Sequence, residues 1–425
     1  MLQGVLIRIN SNYQGAIDKL NDDIKPKMDR CMGGNPDDDY ITDCPAQNKL
    51  IEAINEVIVE LNKLAKPCAN VSPIWYVDAA AEVGGDGRSW GDALNNIQDA
   101  VNAALPGEQV WVRMGTYTSG STDPVITMKD GVEIYGGFDE TETDPTDRYL
   151  DTNETTLDGG DISYHVVVGA SNARLDGFIV TRGNAIGYDD YDNGGGMYNG
   201  GVANLVVSNC IFSENSALYS GGGLFNYSSS ATINSCTFSG NSAGNYGGGV
   251  FNSSSSITIA DCVFDGNIAP YRGGGMYNLS SSPAITNCIF RYNEATGGPS
   301  ANERGGGMFN NGSSPTITDC IFDNNLASQM GGGIYNFESS PTITNCTFNG
   351  NSVGFYGGGM YNEGSSPTIA NCDFVDNSAY DGGGINNGWQ STPTITNCTF
   401  SVNSAERYGG GMYNAWPSPT ITNCT

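Results

Sequence analysis

"SSPTITNCTFNGNSVGFYGGGMYN", residues 339–362, places one cysteine in a run of small polar residues, and near copies precede and follow it. Cysteines recur at Cys210, Cys236, Cys262, Cys288, Cys320, Cys346, Cys372, Cys398 and Cys424, in steps of 26 with a single step of 32. Triple glycines begin at Gly194, Gly221, Gly247, Gly273, Gly305, Gly331, Gly357, Gly382 and Gly409 and keep nearly the same period. The extra six residues fall in "EATGGPSANERGGG", residues 294–307, so one loop bulges and the register resumes. A period of this length, rich in Gly, Asn, Ser and Thr and without helical periodicity, is the signature of a solenoid of strands.

Ile343 and Cys346 are an odd number of residues apart, so both can face inward only if the chain bends between them. Asn345 suits that bend because asparagine tolerates the left-handed conformation. A second turn at "NGNS" and a third strand at "GGGMYN" complete a rung of three short strands. The fold class is therefore all-β, a right-handed parallel β-helix. Its inward ladders are Ile343 and its mates, the nine cysteines, Phe212 through Phe400, and the position held by Met197, Leu224, Val250 and Met360. The cysteine ladder reads as buried structural thiols. In-register side chains sit too far apart for relaxed disulfides, no zinc-ligand spacing accompanies them, and no base recurs beside them.

The residue after each inward aliphatic faces out by alternation: Tyr198, Phe225, Phe251, Tyr277, Phe309, Tyr335, Tyr361 and Tyr413, broken at Asn386. Such a stripe offers stacking area to glycan rings or a partner protein; the alternative is that the rings stabilise one another along the ladder. Paired threonines around the inward Ile, as at Thr316/Thr318, Thr342/Thr344 and Thr394/Thr396, resemble the flat Thr-x-Thr arrays of β-helical ice-binding proteins, with interruptions at Asn234, Ala260 and Ala370.

Three regions follow. Residues 194–425 are the regular repeats. Residues 69–193 form a lead-in whose segment "IWYVDAAAEVGGDGRSWGDALNNIQDAVNAALPGEQVWVRMGTY", residues 74–117, reads as strand, loop, helix, strand. Leu94, Ile97, Val101 and Leu105 share one helix face, Asp92 is placed to cap its start, and the helix would close the first rung. The acids of "GVEIYGGFDETETDPTDR", residues 131–148, are either a weak calcium site or a solvated loop, and no other cofactor is implied. Residues 1–68 suggest an α-helical hairpin for docking or oligomerisation, with Leu50, Ile54, Val57, Leu61 and Leu64 at 4-3-4-3 spacing and Leu6, Ile9, Tyr13, Ile17, Leu20 and Ile24 on the other arm. Cys31 and Cys44 could close a disulfide across the joining loop.

With 18 basic against 46 acidic residues the chain carries a net charge of −28, which repels nucleic-acid phosphates. No apolar run is long enough for a transmembrane helix, and "MLQGVLIRIN" lacks the pattern of a signal peptide.

"FSEN", "FSGN", "FDGN", "FRYN", "FDNN", "FNGN", "FVDN" and "FSVN" fit Phe-x-x-Asn, each followed by Gly-Gly-Gly-aliphatic. This resembles the repeats of chlamydial-type polymorphic outer membrane proteins and, more widely, of bacterial secreted β-helix proteins. The resemblance implies a secreted or cell-surface adhesin or elongated scaffold that meets a glycan or a neighbouring cell's surface protein; self-association into an extracellular fibre is the alternative. The family's Gly-Gly-Ala is Gly-Gly-Gly here, and "TITNCT", residues 420–425, lies within a repeat. β-Helices also host polysaccharide lyases and hydrolases, but from Gly194 onward the basic residues are only Arg272, Arg291, Arg304 and Arg407, and Asp261, Asp319 and Asp373 are isolated. The expectation is therefore a chain without catalysis.

Overall fold

The computed structural model describes residues 74–187, 192–297, 303–415 and 418–425, all within the compact unit Pro73–Thr425. The expected helical hairpin of residues 1–68 and the Cys31–Cys44 pairing lie outside the described residues. One rung shows how the others are built. Strand Thr342–Thr344 points a fully buried Ile343 inward. Asn345 then turns the chain at φ 56°, and strand Thr347–Asn349 carries Phe348 inward. A two-residue strand, Ser352–Val353, follows, and Met360–Glu363 closes the rung with Met360 inside. The two-residue strand is an addition to the three read from the sequence, where "NGNS" marked only a turn.

Rungs stack in parallel and in register, so like lies on like. Ile343 pairs with Ile317 and Ile369, and Phe348 with Phe322 and Phe374. Sheet 1, the Thr-Ile-Thr sheet, runs over thirteen strands; sheet 2, with the phenylalanines, and sheet 3, with Met-Tyr-Asn, have eleven each. Phe348 and Phe374 stack with ring centroids 4.6 Å apart and 2° between planes. Such contacts contribute about 0.5–1.5 kcal/mol each beyond burial.

Two buried asparagine ladders hold the turns. Asn351 Nδ2 donates to Phe322 O at 2.8 Å and to Asn377 Oδ1 at 2.9 Å, and its backbone N–H reaches the same oxygen. Along sheet 3, Asn336 Nδ2 donates to Asn362 Oδ1, which repeats from rung to rung. The Asn351 ladder is the physical content of Phe-x-x-Asn, because an unsatisfied buried amide costs about 1–3 kcal/mol. The triple glycine is equally constrained: a Cβ on Gly358 would lie 2.5 Å from Gly383 O and 2.6 Å from Ser378 O.

At the start, helix α1 (Ile97–Ala103) packs on Ile74–Val77 and Gln109–Arg113 and buries Ile97 and Val101. Its cap is Asn96, which accepts from Asp99 N, and not the expected Asp92, which ends a preceding 3-10 turn. Leu105, expected on the buried face, is 60% exposed because the helix ends at Ala103. Lys129 Nζ instead completes that end, donating to Asn102 O and Ala104 O.

Candidate functional site: a cleft on the first rungs of sheet 1

The first strands of sheet 1 interrupt the threonine pattern. Register places Gln109 beside Glu133, Glu133 beside Arg174, and Arg174 beside Val206 on the outward face. The neighbouring outward column runs Trp111, Tyr135, Asp176, Ser208. A register shift between the pairs Trp111–Tyr135 and Arg113–Phe138 bulges the strand Glu133–Phe138, after which the chain leaves the sheet. The loop then returns over the sheet: Asp144 caps a 3-10 turn at Pro145–Asp147 through Thr146 N and so delivers Arg148.

Arg148 is the strut of this loop. Its guanidinium lies 5.1 Å from the Tyr135 ring centre, and it donates to Gly136 O at 2.6 Å and to Asp176 Oδ1 at 2.7 Å. Both partners of this ion pair are 6% exposed. A Cβ on Gly177 would approach Arg148 Nη1 to 2.8 Å, so the glycine keeps the strut's place open. Asp176 also accepts from Ser208 Oγ at 2.5 Å, from Arg174 Nη1 at 3.4 Å and from Asn209 Nδ2 on both oxygens. Its acceptor capacity is filled, which makes Asp176 a fixed anion that orients two arginines.

Glu133 differs. Its side chain is 40% exposed; it accepts from Tyr135 Oη at 2.9 Å and Gln109 Nε2 at 3.2 Å, with Arg174 Nε 4.0 Å away. Burial, with the Glu133 charge adding to it, pushes the Tyr135 phenol above its ordinary range. Tyr135 therefore stays a hydrogen-bond donor at neutral pH. Beside Glu133, a cleft of about 580 Å³ is lined by Gln109, Tyr135, Arg148, Arg174, Asp176 and Asn209, with Asp144, Thr146 and Leu150 on the loop side. Its carboxylate, guanidinium, phenol and amides can bind a polyhydroxylated ligand and exchange a proton with it.

The acids of residues 131–148, read as either a weak calcium site or a solvated loop, include two that bond within their own loop. Asp139 accepts from Thr141 N and Oγ1, and Asp144 from Thr146 N and Oγ1. These bonds hold both carboxyls below their usual range. Among the described residues no group of three or more His, Cys, Asp or Glu converges on a metal position.

The aromatic stripe is elsewhere and is not an open face. Phe225, Phe251, Tyr277, Phe309, Tyr335 and Tyr361 are buried and form a second core, with Tyr198 half-buried at one end and Tyr413 half-buried in a later rung. Tyr246, Met330 and Tyr356, from the segment before each triple glycine, pack over it. Alternation alone had put these rings in solvent; the return of the chain across sheet 3 covers them. The structure places the thiols from Cys210 to Cys398 in the core as free cysteines, with Cys424 half-buried. Each S–H points at a carbonyl two residues back, as Cys346 does to Thr344 O at 3.2 Å. Burial pushes the Cys236 thiol well up.

Arg148, Arg174 and Asp176 were not singled out from the sequence, and Glu133 entered only among the acids of residues 131–148. They lie in irregular rungs, 24 and 41 residues apart at Gln109, Glu133 and Arg174, where no period reports which residues become neighbours. No helix among the described residues is long and apolar enough to cross a membrane.

No curated protein matches the chain. Solved structures similar to it include pectate lyase Pel9A, at TM-score 0.48 and 14% identity over 81% of this chain and 78% of that one. The Azotobacter vinelandii mannuronan C-5 epimerase AlgE4 A-module is similar at TM-score 0.41 and 16% identity, over 82% and 96%. A rhamnogalacturonan lyase is similar at 0.41 and 12%, over 83% and 88%. At these identities the likeness is one of fold. The expectation of a chain without catalysis is withdrawn, because the similar solved structures include a pectate lyase, a mannuronan epimerase and a rhamnogalacturonan lyase. That expectation had rested on rungs from Gly194 onward, whereas the charged cleft lies before them. The right handed beta helix region matches residues 152–301 and 300–425, and the chain belongs to that family.

Proposed function

We propose that the protein is a polysaccharide-active β-helix protein whose glycan lies in the sheet 1 cleft against Tyr135, Arg174 and Glu133. The observation that carries this reading is the 40% exposed Glu133 carboxylate, bonded to Tyr135 and Gln109 and 4.0 Å from Arg174, three residues that line the adjoining cleft. Planar amides and a guanidinium suit the paired hydroxyls of a sugar ring. Glu133 is the group assigned to proton transfer, because every oxygen of Asp176 is already engaged. Asp176 and Arg148 are positioning residues.

The test incubates the full chain and Glu133→Gln with pectate, mannuronan, rhamnogalacturonan and neutral glycans, reading new reducing ends, unsaturated products or altered sugar composition. Products from the wild type that fall at least 100-fold in Glu133→Gln support the assignment. Absence of products together with absence of binding contradicts it.

A second reading is favoured by the remainder of sheet 1, where Thr316, Thr342, Thr368, Thr394 and Thr420 form one exposed column. This regular face suits an elongated secreted or cell-surface scaffold or adhesin of the polymorphic outer membrane protein kind. Binding lost on changing the threonine column, and kept on changing the cleft, would select it.

A further inference from the structure

The cysteine column holds a pattern that packing does not require. The backbone N–H of Cys236 donates to Cys262 Sγ at 3.4 Å, and the same contact joins Cys288 to Cys320, Cys346 to Cys372, and Cys398 to Cys424, each at 3.4 Å. The contact recurs at alternate steps and so marks four pairs among eight of the nine thiols, within a column whose sulfurs also meet across the intervening steps. Within a pair, the sulfur that accepts an N–H is the better thiolate.

The spacing has a chemical meaning. Parallel rungs stack about 4.8 Å apart. Two metal–sulfur bonds of about 2.3 Å, end to end, span nearly the same length. The stacked pair cannot form a relaxed disulfide, which needs its Cβ atoms at about 3.8 Å. Three-ligand convergence is absent among the described residues, so a bound ion would be held by two sulfurs alone. At the bend between sheets 1 and 2 a furrow of about 260 Å³ runs beside Cys262 and Cys288, one member each of two neighbouring pairs, together with Asp261, Asn287 and Asp319; both thiols are buried beneath it. Its carboxylates favour the approach of cations.

We infer that adjacent rungs of the cysteine column bind soft, two-coordinate monovalent cations of the Cu(I) and Ag(I) class, one ion per pair. The step is an exchange without redox change: the ion bonds to both sulfurs, and one thiol proton leaves to solvent. The complex of one thiolate, one thiol and one monovalent ion is uncharged, so no net charge is buried. Soft sulfur ligands select such ions over calcium or magnesium.

The experiment titrates Ag(I) into the reduced full-length chain and into a variant in which Cys31, Cys44 and Cys68 are replaced by serine. Silver is counted after desalting, with proton release followed by pH-stat and sulfur neighbours by X-ray absorption. The expected result is four ions per chain in the variant, one proton per ion, two collinear sulfur neighbours and a raised melting temperature. Cys262→Ala should lose one ion. Fewer than one ion per chain, three or more sulfur neighbours, or uptake accompanied by unfolding overturns the proposal. Should Cys262→Ala fail to fold, the sulfur count on the unaltered column decides.

Discussion

At the residue scale, bends rather than cores concentrate strain. Val402 sits at φ 58° and is 78% exposed, at the turn where other rungs have Gly350, Gly266 or Asn324. A β-branched residue is penalised in the left-handed region, so Val402→Asn should stabilise the fold by about 1 kcal/mol, read from chemical denaturation. Asp176 is the opposite case, a buried anion with every partner in place. Asp176→Ala leaves Arg148 buried without its counter-ion and should cost about 3–5 kcal/mol, which a fall in melting temperature would register. Burial opposes ionisation of Asp158, but hydrogen bonds from Arg182 and Gly160 N outweigh it and hold its carboxyl below the ordinary value. Its native pKa is depressed, so its contribution is present above the unfolded value and is lost as pH falls through the native one. Arg182→Met should therefore reduce stability at neutral pH and flatten its loss below pH 3.8.

At the element scale, the turns between strands depend on buried amides more than on strand propensity. Asn351 gives two side-chain bonds and accepts two from Asn325, through Nδ2 and the backbone N–H. Asn351→Ala should cost about 3 kcal/mol or more, since several buried donors and acceptors lose partners together. Asn351→Asp should also destabilise, because the carboxylate cannot donate to Phe322 O. The ladder explains why Phe-x-x-Asn was visible as a motif but not as a mechanism: the sequence repeats the residue, while its partners lie 26 residues away on either side. The aromatic stripe shows the limit of reading by alternation. Phe309 and Tyr335 are the outward residues of their strands, yet they are 1% and 0% exposed because Met330 and Tyr356 cross above sheet 3.

At the scale of the whole molecule, legibility follows repetition. Ile343, Cys346, Phe348 and Met360 could be assigned to the interior because each has a mate in every rung, and a wrong register would expose all of them at once. The bend at Asn345 was legible for the same reason. The cleft was not, because Glu133, Arg148, Arg174 and Asp176 occur once each and converge only through register and a returning loop. We propose that function lies where this β-helix departs from its own period, with a glycan occupying the departure. The most direct measurement is a crystal structure of Glu133→Gln soaked with an oligosaccharide from the polysaccharide found active. Sugar rings lying between Tyr135, Arg174 and the loop that carries Arg148 are the predicted result; sugar bound only along the threonine column, with the cleft holding solvent, would contradict it.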